Sequence, residues 1–204
     1  METTTNQIVW LPCGQIECGK ISVPIDKDLA SSGTVSVSLY RRKAISGSSP
    51  RTLLLLPDRE FGSDARTLAE KAVLTFGTTI TKFNVISVAP RGAVDAIMPA
   101  GSETEIGTLG MADDLETVRA ALNVKKVSIM GWGSGATTAT VFIMQNPTKV
   151  QAAVLDTPID PSTSLVKQAP QHIAATTFGV KTAMRWCASH LSCPMNANVA
   201  KELD

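Results

Sequence analysis

The chain has 204 residues, of which 44% are hydrophobic and 18% are charged, and its formal net charge is +1 at pH 7. A chain of this size and composition can bury a full globular core, and its near-zero charge excludes the basic surface of a protein that binds nucleic acid or an anionic membrane. No apolar run approaches the roughly 18 residues of a membrane-spanning helix. No signal peptide is recognisable at the N-terminus, so we expect the sequence to begin at a mature domain.

The four cysteines form two local pairs, Cys13 with Cys18 and Cys187 with Cys193. A zinc site is disfavoured because neither pair has C-x-x-C spacing and the two histidines complete no recognisable ligand set. We therefore expect no metal and no cofactor. The preferred interpretation is two short-loop disulfides, and hence an exported protein in an extracytoplasmic location. Four buried free thiols are the alternative.

The first third of the chain contains predicted strands of two kinds. An extended segment from Ile16 to Asp26 contains Pro24 as its stop signal. Strict alternation from Thr34 to Tyr40 predicts a half-buried strand in an antiparallel edge region, with one face exposed to water. The continuous apolar run from Leu53 to Leu56 predicts a strand that is covered on both faces.

The middle of the chain alternates between helical and strand patterns. Apolar residues at helical spacing predict one helix from Asp64 to Phe76, and the run from Phe83 to Ala89 predicts another buried strand. Residues 92–108 lack periodicity and contain Gly, Pro and Ser, so we predict a loop. A helix is predicted to begin at Thr108, and its acidic residues, among them Asp114, suit the positive end of the helix dipole in its early turns.

The stretch from Val127 to Ala136 is predicted to form a strand, a sharp turn and the start of a helix that ends near Gln145. Its apolar run is followed by glycines that bracket position 133. This is the arrangement of a nucleophile elbow, in which a strained turn lifts one side chain out of a sheet. The lifted residue in the G-x-S-x-G pattern is serine, but here it is Gly133, and the serine follows one residue later at Ser134.

A further buried strand is predicted from Ala152 to Leu155, so strands and helices alternate from residue 53 to residue 155. This alternation predicts an α/β fold with a doubly wound, mainly parallel sheet and an antiparallel N-terminal edge. We assign residues 1–160 to this core. Residues 161–204 are assigned to a helical cap-like segment. After Pro161 the sequence shows an apolar stripe at helical spacing, and no further strand is predicted. The stripe consists of Ile173, Val180, Met184 and Cys187.

Several motifs along the chain stand in an order and spacing that is typical of one enzyme superfamily. They are Trp10–Cys13, Cys18–Pro24, Leu53–Pro57, Ala89–Gly92, Asp114–Leu122, the elbow, Val154–Pro158 and Trp186–Pro194. In this order they resemble the α/β-hydrolases, and more narrowly the secreted bacterial tripeptidyl-aminopeptidases and proline-iminopeptidase-like serine hydrolases. The resemblance covers nearly the whole chain but only the N-terminal part of the family layout. It implies an incomplete sheet followed by the start of a helical cap.

The chemistry of this family needs a serine on the elbow, a histidine base, an orienting acid and backbone N–H donors from a glycine-rich loop. The sequence departs from the family pattern at Gly133, at the charged loop Pro57–Gly62 and at Ala89, where the family has aspartate. The family's acid and histidine come from strands beyond the cap, and the resemblance ends within the cap.

Four residues are candidates for a remaining binding cleft: Trp132, Ser134, Arg59 and Asp156. We expect Ser134 to cap the helix that follows it, with the alternative that it is a nucleophile. Trp132 is expected near the mouth of the former pocket, as a filler or as a stacking surface. Arg59, with Glu60, forms a solvated pair or reshapes the former oxyanion loop. Asp156 ends a strand, where ligands gather, but the simpler interpretation is a turn aspartate.

We infer a noncatalytic hydrolase-like domain, exported and with a binding or structural role in the cell envelope, because both the elbow serine and the glycine-rich loop are missing. His172 and His190 are interpreted as surface or core residues and not as catalytic bases. The alternatives are an active serine hydrolase or aminopeptidase that uses Ser134 with acid and base from another segment, and a purely structural domain of a larger envelope protein.

An incomplete sheet has a consequence for partners. It leaves one sheet edge and apolar surface open, so we expect another polypeptide segment or subunit to cover them. A peptide or lipid ligand stays open as a further interpretation, whereas neither nucleic acid nor a membrane-spanning segment is expected.

Overall fold

The computed structural model describes residues 7–45, 50–58, 64–190 and 192–193. Within these residues, seven strands form one mixed sheet in the order β1-β2-β3-β5-β4-β6-β7. The strands are β1 (Leu11–Cys13), β2 (Ile16–Pro24), β3 (Thr34–Arg42), β4 (Arg51–Leu56), β5 (Phe83–Val88), β6 (Val127–Trp132) and β7 (Val150–Asp156). The pairs β1–β2, β2–β3 and β3–β5 are antiparallel. The pairs β5–β4, β4–β6 and β6–β7 are parallel. The predicted α/β class with an antiparallel N-terminal edge is confirmed.

Helices cover both faces of the central strands. They are α1 (Ala65–Glu70), α2 (Ala72–Phe76), α3 (Thr108–Ala121) and α4 (Ser134–Gln145). A fifth helix, α5 (Leu165–Ser189), follows the last strand in the chain. Leu54 and Ile129 belong to a core that includes Leu115 of α3 and Phe142 of α4. Leu55 of the same strand β4 faces the other way and packs in a cluster with α2. Successive residues of a strand point to opposite faces, so a run of apolar residues such as β4 supplies both cores at once.

Three local predictions differ from the structure. The helix predicted from Asp64 to Phe76 is two helices that meet at Lys71, and the Asp64 carboxylate accepts a hydrogen bond from the Thr67 N–H at its start. The predicted loop of residues 92–108 contains a short 3₁₀ turn at Glu103–Glu105. The wet face of β3 is limited to its first residues, because the strand is buried on both faces from Ser38 to Tyr40.

Both predicted disulfides are present. Cys13 is bonded to Cys18, which ties β1 to β2, and Cys187 is bonded to Cys193 beyond the end of α5. Together with the register of the hairpin, the first bond fixes the outermost strand β1 on the edge of the sheet. The free-thiol alternative is therefore wrong.

The chain divides into two compact units, residues 1–160 and residues 161–204. The second unit is built on α5, which is helical through Pro170. The predicted apolar stripe of this helix is only partly used, since Cys187 is buried but Ile173 and Val180 are exposed. No helix in the described ranges is both long enough and apolar enough to cross a membrane.

A buried ion pair fixes the loop that follows β5. Arg91 is 1% exposed and donates two hydrogen bonds to the carboxylate of Asp114 in α3, at 2.8 Å from Nε and 2.5 Å from Nη2. The same guanidinium donates to the backbone carbonyls of Pro24, Ile25 and Glu105. Arg91 therefore joins the end of β2, the loop and α3 through one side chain.

Asp114 has a different role from the one predicted from the helix dipole. The first turn of α3 contains no acidic residue, so Asp114 does not act on the N-terminal end of the helix dipole. Its burial raises its pKa to about 6, although the hydrogen bonds and charge of Arg91 act in the opposite direction. Burial disfavours the charge of Arg91 as well, but Asp114 outweighs this and raises the pKa of Arg91.

We expect Arg91→Met to lower the free energy of unfolding by about 3 kcal/mol, because it leaves a buried carboxylate without its partner. The loss should grow as the pH rises through about 6, since Asp114 carries a charge to be compensated only above its pKa. Urea unfolding on either side of that pH measures both effects. Arg66→Met, at an exposed pair with Glu70, is the matched control and should change little. Equal losses in the two variants would contradict the prediction.

Candidate functional site

The predicted sharp turn from strand to helix is present at the end of β6. The strand ends at Trp132, α4 begins at Ser134, and Gly133 between them has φ +48° and ψ −117°. This is a left-handed conformation that favours glycine. The Gly133 N–H donates to the backbone carbonyl of Asp156 at 2.9 Å, so the neighbouring strand β7 holds the turn in place.

The two flanking glycines are required by close backbone packing. A Cβ atom added to Gly131 would lie 2.8 Å from the backbone nitrogen of Ala136. A Cβ atom added to Gly135 would lie 2.4 Å from the carbonyl oxygen of Leu56, at the end of β4. Neither contact is compatible with a side chain, because backbone atoms cannot move aside as a flexible side chain can. The glycine spacing thus reflects how tightly α4 is seated against β4 and β6.

The side chain of Asp58 occupies the space above Gly133. Asp58 follows β4 by two residues and is 7% exposed. A Cβ atom at position 133 would lie 2.2 Å from Oδ2 and 2.5 Å from Cγ of this carboxylate. A side chain at position 133 therefore fits only if the Asp58 carboxylate moves from this position.

Ser134 is bonded to the same carboxylate. Its hydroxyl donates to Oδ1 of Asp58 at 3.0 Å, and its backbone N–H lies 3.4 Å from the same atom. Ser134 is the first residue of α4 and the N-cap position is Gly133, so the serine does not occupy the capping position that was predicted for it. A carboxylate from another segment lies at this helix N-terminus instead, where the helix dipole favours negative charge.

The other cleft candidates make different contacts or lie outside the described residues. Trp132 is half-buried and stacks on Phe76 of α2, with ring centroids 5.6 Å apart. It shares the α2 face of β6 with Met130, because side chains two residues apart in a strand point the same way. Asp156 contributes its backbone carbonyl to the turn. Arg59 and Glu60 lie outside the described residues.

A small cavity lies beside the turn. Its volume is about 30 Å³, and its lining includes Leu56, Pro57, Met111, Asp114, Ser134 and Thr138. A cavity of this size holds a water molecule and not a peptide side chain of any length. Within the described residues of unit 1–160, this cavity is therefore too small to hold a substrate.

The two histidines belong to the second unit. His172 lies in α5 and is exposed. The ring of His190 is stacked on Trp186 at 4.6 Å, and its Nδ1 lies 2.8 Å from the Trp186 carbonyl oxygen. The described contacts of His190 are with residues of α5, and His172 is exposed on the same helix. This agrees with the interpretation of the two histidines as surface residues. The described residues contain no group of three or more His, Cys, Asp or Glu side chains placed to hold a metal ion.

Sequence reasoning missed Asp58 as a site residue. The sequence shows the segment Pro57–Gly62 only as a charged replacement of a glycine-rich loop. One available signal was that Asp58 follows a buried parallel strand, since the carboxyl ends of such strands meet at the edge where functional groups gather. The distance between β4 and the elbow was not visible in the sequence.

Comparison with known proteins places these features in context. A family model described as the alpha/beta hydrolase fold matches residues 65–194. The serine protease Hip1 of Mycobacterium tuberculosis and of Mycobacterium bovis is 22% identical, over 98% of this chain and 47% of the relative. The chain spans about half the length of these curated relatives.

Solved structures show the same fold. A probable hydrolytic enzyme from Pseudomonas aeruginosa PAO1 has a TM-score of 0.57 and 20% identity, over 70% of this chain and 41% of its own. The epoxide hydrolase VrEH1 from Vigna radiata has a TM-score of 0.54 and 16% identity, over 76% of this chain and 46% of its own.

We expect Gly133→Ala to destabilise the protein by about 3 kcal/mol, because it combines a left-handed conformation with a clash against Asp58. In Asp58→Ala/Gly133→Ala the clash is gone, so the double variant should be more stable than the sum of the single changes by about 1 kcal/mol or more. Thermal and urea unfolding of the four proteins give the coupling energy.

Gly179→Ala is the control for this cycle. Gly179 lies inside α5, and a Cβ atom there would contact nothing within 4 Å, so the change should be neutral or slightly stabilising. Additive effects of the Asp58 and Gly133 changes would show that the carboxylate does not occupy the space above the turn.

Proposed function

We propose that this chain, which belongs to the alpha/beta hydrolase family, is a noncatalytic member with a protein-binding role in an extracytoplasmic compartment. The observation that carries the proposal is the carboxylate of Asp58, which stands 2.2 Å from where the Cβ of a residue at position 133 would lie. A nucleophile on the elbow would need that space.

The chemistry of serine hydrolysis needs more than a hydroxyl. It needs a nucleophile exposed above the sheet, a base that takes its proton and donors for the developing oxyanion. Gly133 supplies no nucleophile, and the sequence has no histidine before His172. The oxyanion is negatively charged in the transition state, so the Asp58 carboxylate beside the turn would repel it.

The structure offers more room for binding on the exposed strand β7 than in the cavity beside the elbow. The cavity beside the elbow has room for water, about 30 Å³. The strand β7, in contrast, is largely exposed. Recognition of a polypeptide at an exposed strand relies on main-chain hydrogen bonds and needs no pocket. This favours a protein partner over a peptide or lipid held in a cleft.

A second candidate function is an active hydrolase that uses Ser134. The specific observation in its favour is the 3.0 Å hydrogen bond from the Ser134 hydroxyl to Asp58, which is the distance of a nucleophile and its base. Its acid and histidine would come from another segment. A purely structural role in a larger envelope protein is the remaining alternative from the sequence.

The extracytoplasmic location is supported by the two disulfides. Structural disulfides persist in oxidising compartments and are rare in the cytosol of most organisms. We expect the intact mass of the native protein to rise by four hydrogens on reduction under denaturing conditions, which reports the two bonds seen at Cys13–Cys18 and Cys187–Cys193. A mass that does not change on reduction would contradict the bonded state and with it the basis for this location.

The decisive experiment is labelling with a fluorophosphonate probe, followed by intact mass analysis. We expect no adduct on the native protein, because the hydroxyl of Ser134 is held by Asp58 and has no histidine base in its unit. Ser134→Ala is the matched control. An adduct on the native protein that disappears in Ser134→Ala would overturn the noncatalytic proposal and establish the second candidate.

A further inference from the structure

The chain leaves β7 through a residue in an unusual backbone conformation. Thr157, which directly follows the strand, has φ +51°. A positive φ is uncommon for any residue other than glycine, and for a β-branched residue such as threonine it is a genuine outlier. Thr157 also precedes Pro158, and the ring of a following proline favours an extended conformation with negative φ. Two independent local rules therefore disfavour the conformation that Thr157 adopts.

Contacts with the elbow and with α4 hold the chain on both sides of Thr157. Before it, the backbone carbonyl of Asp156 accepts a hydrogen bond from the Gly133 N–H at 2.9 Å. After it, the Ile159 N–H donates to the hydroxyl oxygen of Thr137 in α4, also at 2.9 Å. A strained conformation persists only where the surrounding structure over-determines it. These two hydrogen bonds are such a constraint, because they fix the chain on either side of the strained residue.

Thr137 is a buried acceptor whose hydroxyl is used twice. It is 8% exposed, and its hydroxyl donates to the carbonyl oxygen of Gly133 at 3.1 Å while the oxygen accepts from Ile159. A hydroxyl has one proton to donate and can accept as well, so both roles are filled. Thr140 on the same helix makes the same kind of bond to the carbonyl of Ala136, at 2.9 Å. No described N–H donates to the Thr140 hydroxyl, which makes Thr140 a natural reference for Thr137.

The strain acts on one of the two anchors and not on the other. A change in φ of Thr157 leaves Asp156 in place and moves Ile159, because the rotating bond lies between them in the chain. The cost of a strained residue and the net stabilisation from one hydrogen bond are of similar size. Relaxation of Thr157 therefore competes directly with the bond between Ile159 and Thr137.

We propose that residues 157–159 form a strained latch with two states. In the closed state, Thr157 has a positive φ and Ile159 is bonded to Thr137. In the open state, Thr157 has a negative φ, the Ile159 bond is broken and the chain leaves β7 in another direction, while the bond to the Asp156 carbonyl is kept. A ligand that binds the released residues better in the open state shifts the population toward it.

The latch goes beyond the proposed binding role and does not depend on the loss of catalysis. It lies within the first compact unit, whose last residue is Asp160. Its parts are a backbone torsion and two hydrogen bonds, and none of them involves the hydroxyl of Ser134. Labelling with the fluorophosphonate probe tests catalysis alone, and local exchange of amide hydrogens tests the latch alone.

The test is hydrogen–deuterium exchange of the full chain, measured by NMR at the amides of Ile159 and Gly133. Thr157→Gly removes the strain, since glycine adopts positive φ without a steric cost. We expect exchange at Ile159 to slow about tenfold in this variant, because the closed state loses its strain. Exchange at Gly133, on the fixed side, should change by less than about twofold. A turn without strain predicts faster exchange instead, because glycine ordinarily adds backbone freedom.

Thr157→Val is the matched control, because valine keeps the β-branched side chain and its strain but lacks the hydroxyl. Exchange at Ile159 in this variant should stay within about twofold of the native rate. Thr137→Val removes the acceptor and should speed exchange at Ile159 about tenfold or more, whereas Thr140→Val should leave it unchanged. Each rate is compared with that of Leu54 in the buried strand β4, which corrects for a change in global stability.

Exchange at Ile159 that is as fast in Thr157→Gly as in the native protein, or faster, would overturn the latch. Equal effects of Thr137→Val and Thr140→Val would overturn it as well, because only Thr137 accepts from Ile159. Thr157→Asn provides the same test if the glycine variant does not fold, since asparagine also tolerates positive φ.

Discussion

The guanidinium of Arg91 joins three separate segments of the N-terminal unit. It lies in the interior, satisfies three backbone carbonyls and is neutralised by Asp114. A buried cation is tolerated only where its hydrogen bonds and its charge are both matched, so each partner constrains the others. The end of β2, the loop after β5 and the helix α3 are consequently held in one arrangement. Residues of α3 then line the cavity beside the elbow.

The elbow depends on close backbone contact in the same way. Gly131 and Gly135 allow α4 to approach β4 and β6, and Gly133 accepts the left-handed turn between them. These are the requirements of a turn that presents a side chain for chemistry. Here the turn is kept, and the Asp58 carboxylate stands where that side chain would be. The backbone geometry of the turn therefore does not depend on a side chain at position 133.

The sequence predicted those features that depend on local pattern. Apolar runs located β4, β5 and β6, the two cysteine spacings indicated the disulfides, and the glycines at positions 131, 133 and 135 located the turn. It did not show Asp58 or the role of Asp114, because each side chain meets a partner far away in the chain: Asp58 meets Ser134, and Asp114 meets Arg91. The break at Lys71 was missed for another reason, since helical spacing continues across it.

The steric relation between Gly133 and Asp58 also limits how this protein can change. A serine at position 133 would collide with the carboxylate, and an alanine at position 58 would leave the Ser134 hydroxyl without that acceptor. Replacing Asp58 alone opens the space above the turn but removes the hydrogen bond to Ser134, whereas a side chain at position 133 alone requires the carboxylate to move. The order of changes at this turn therefore matters, because a side chain at position 133 is accommodated more easily once Asp58 has been replaced.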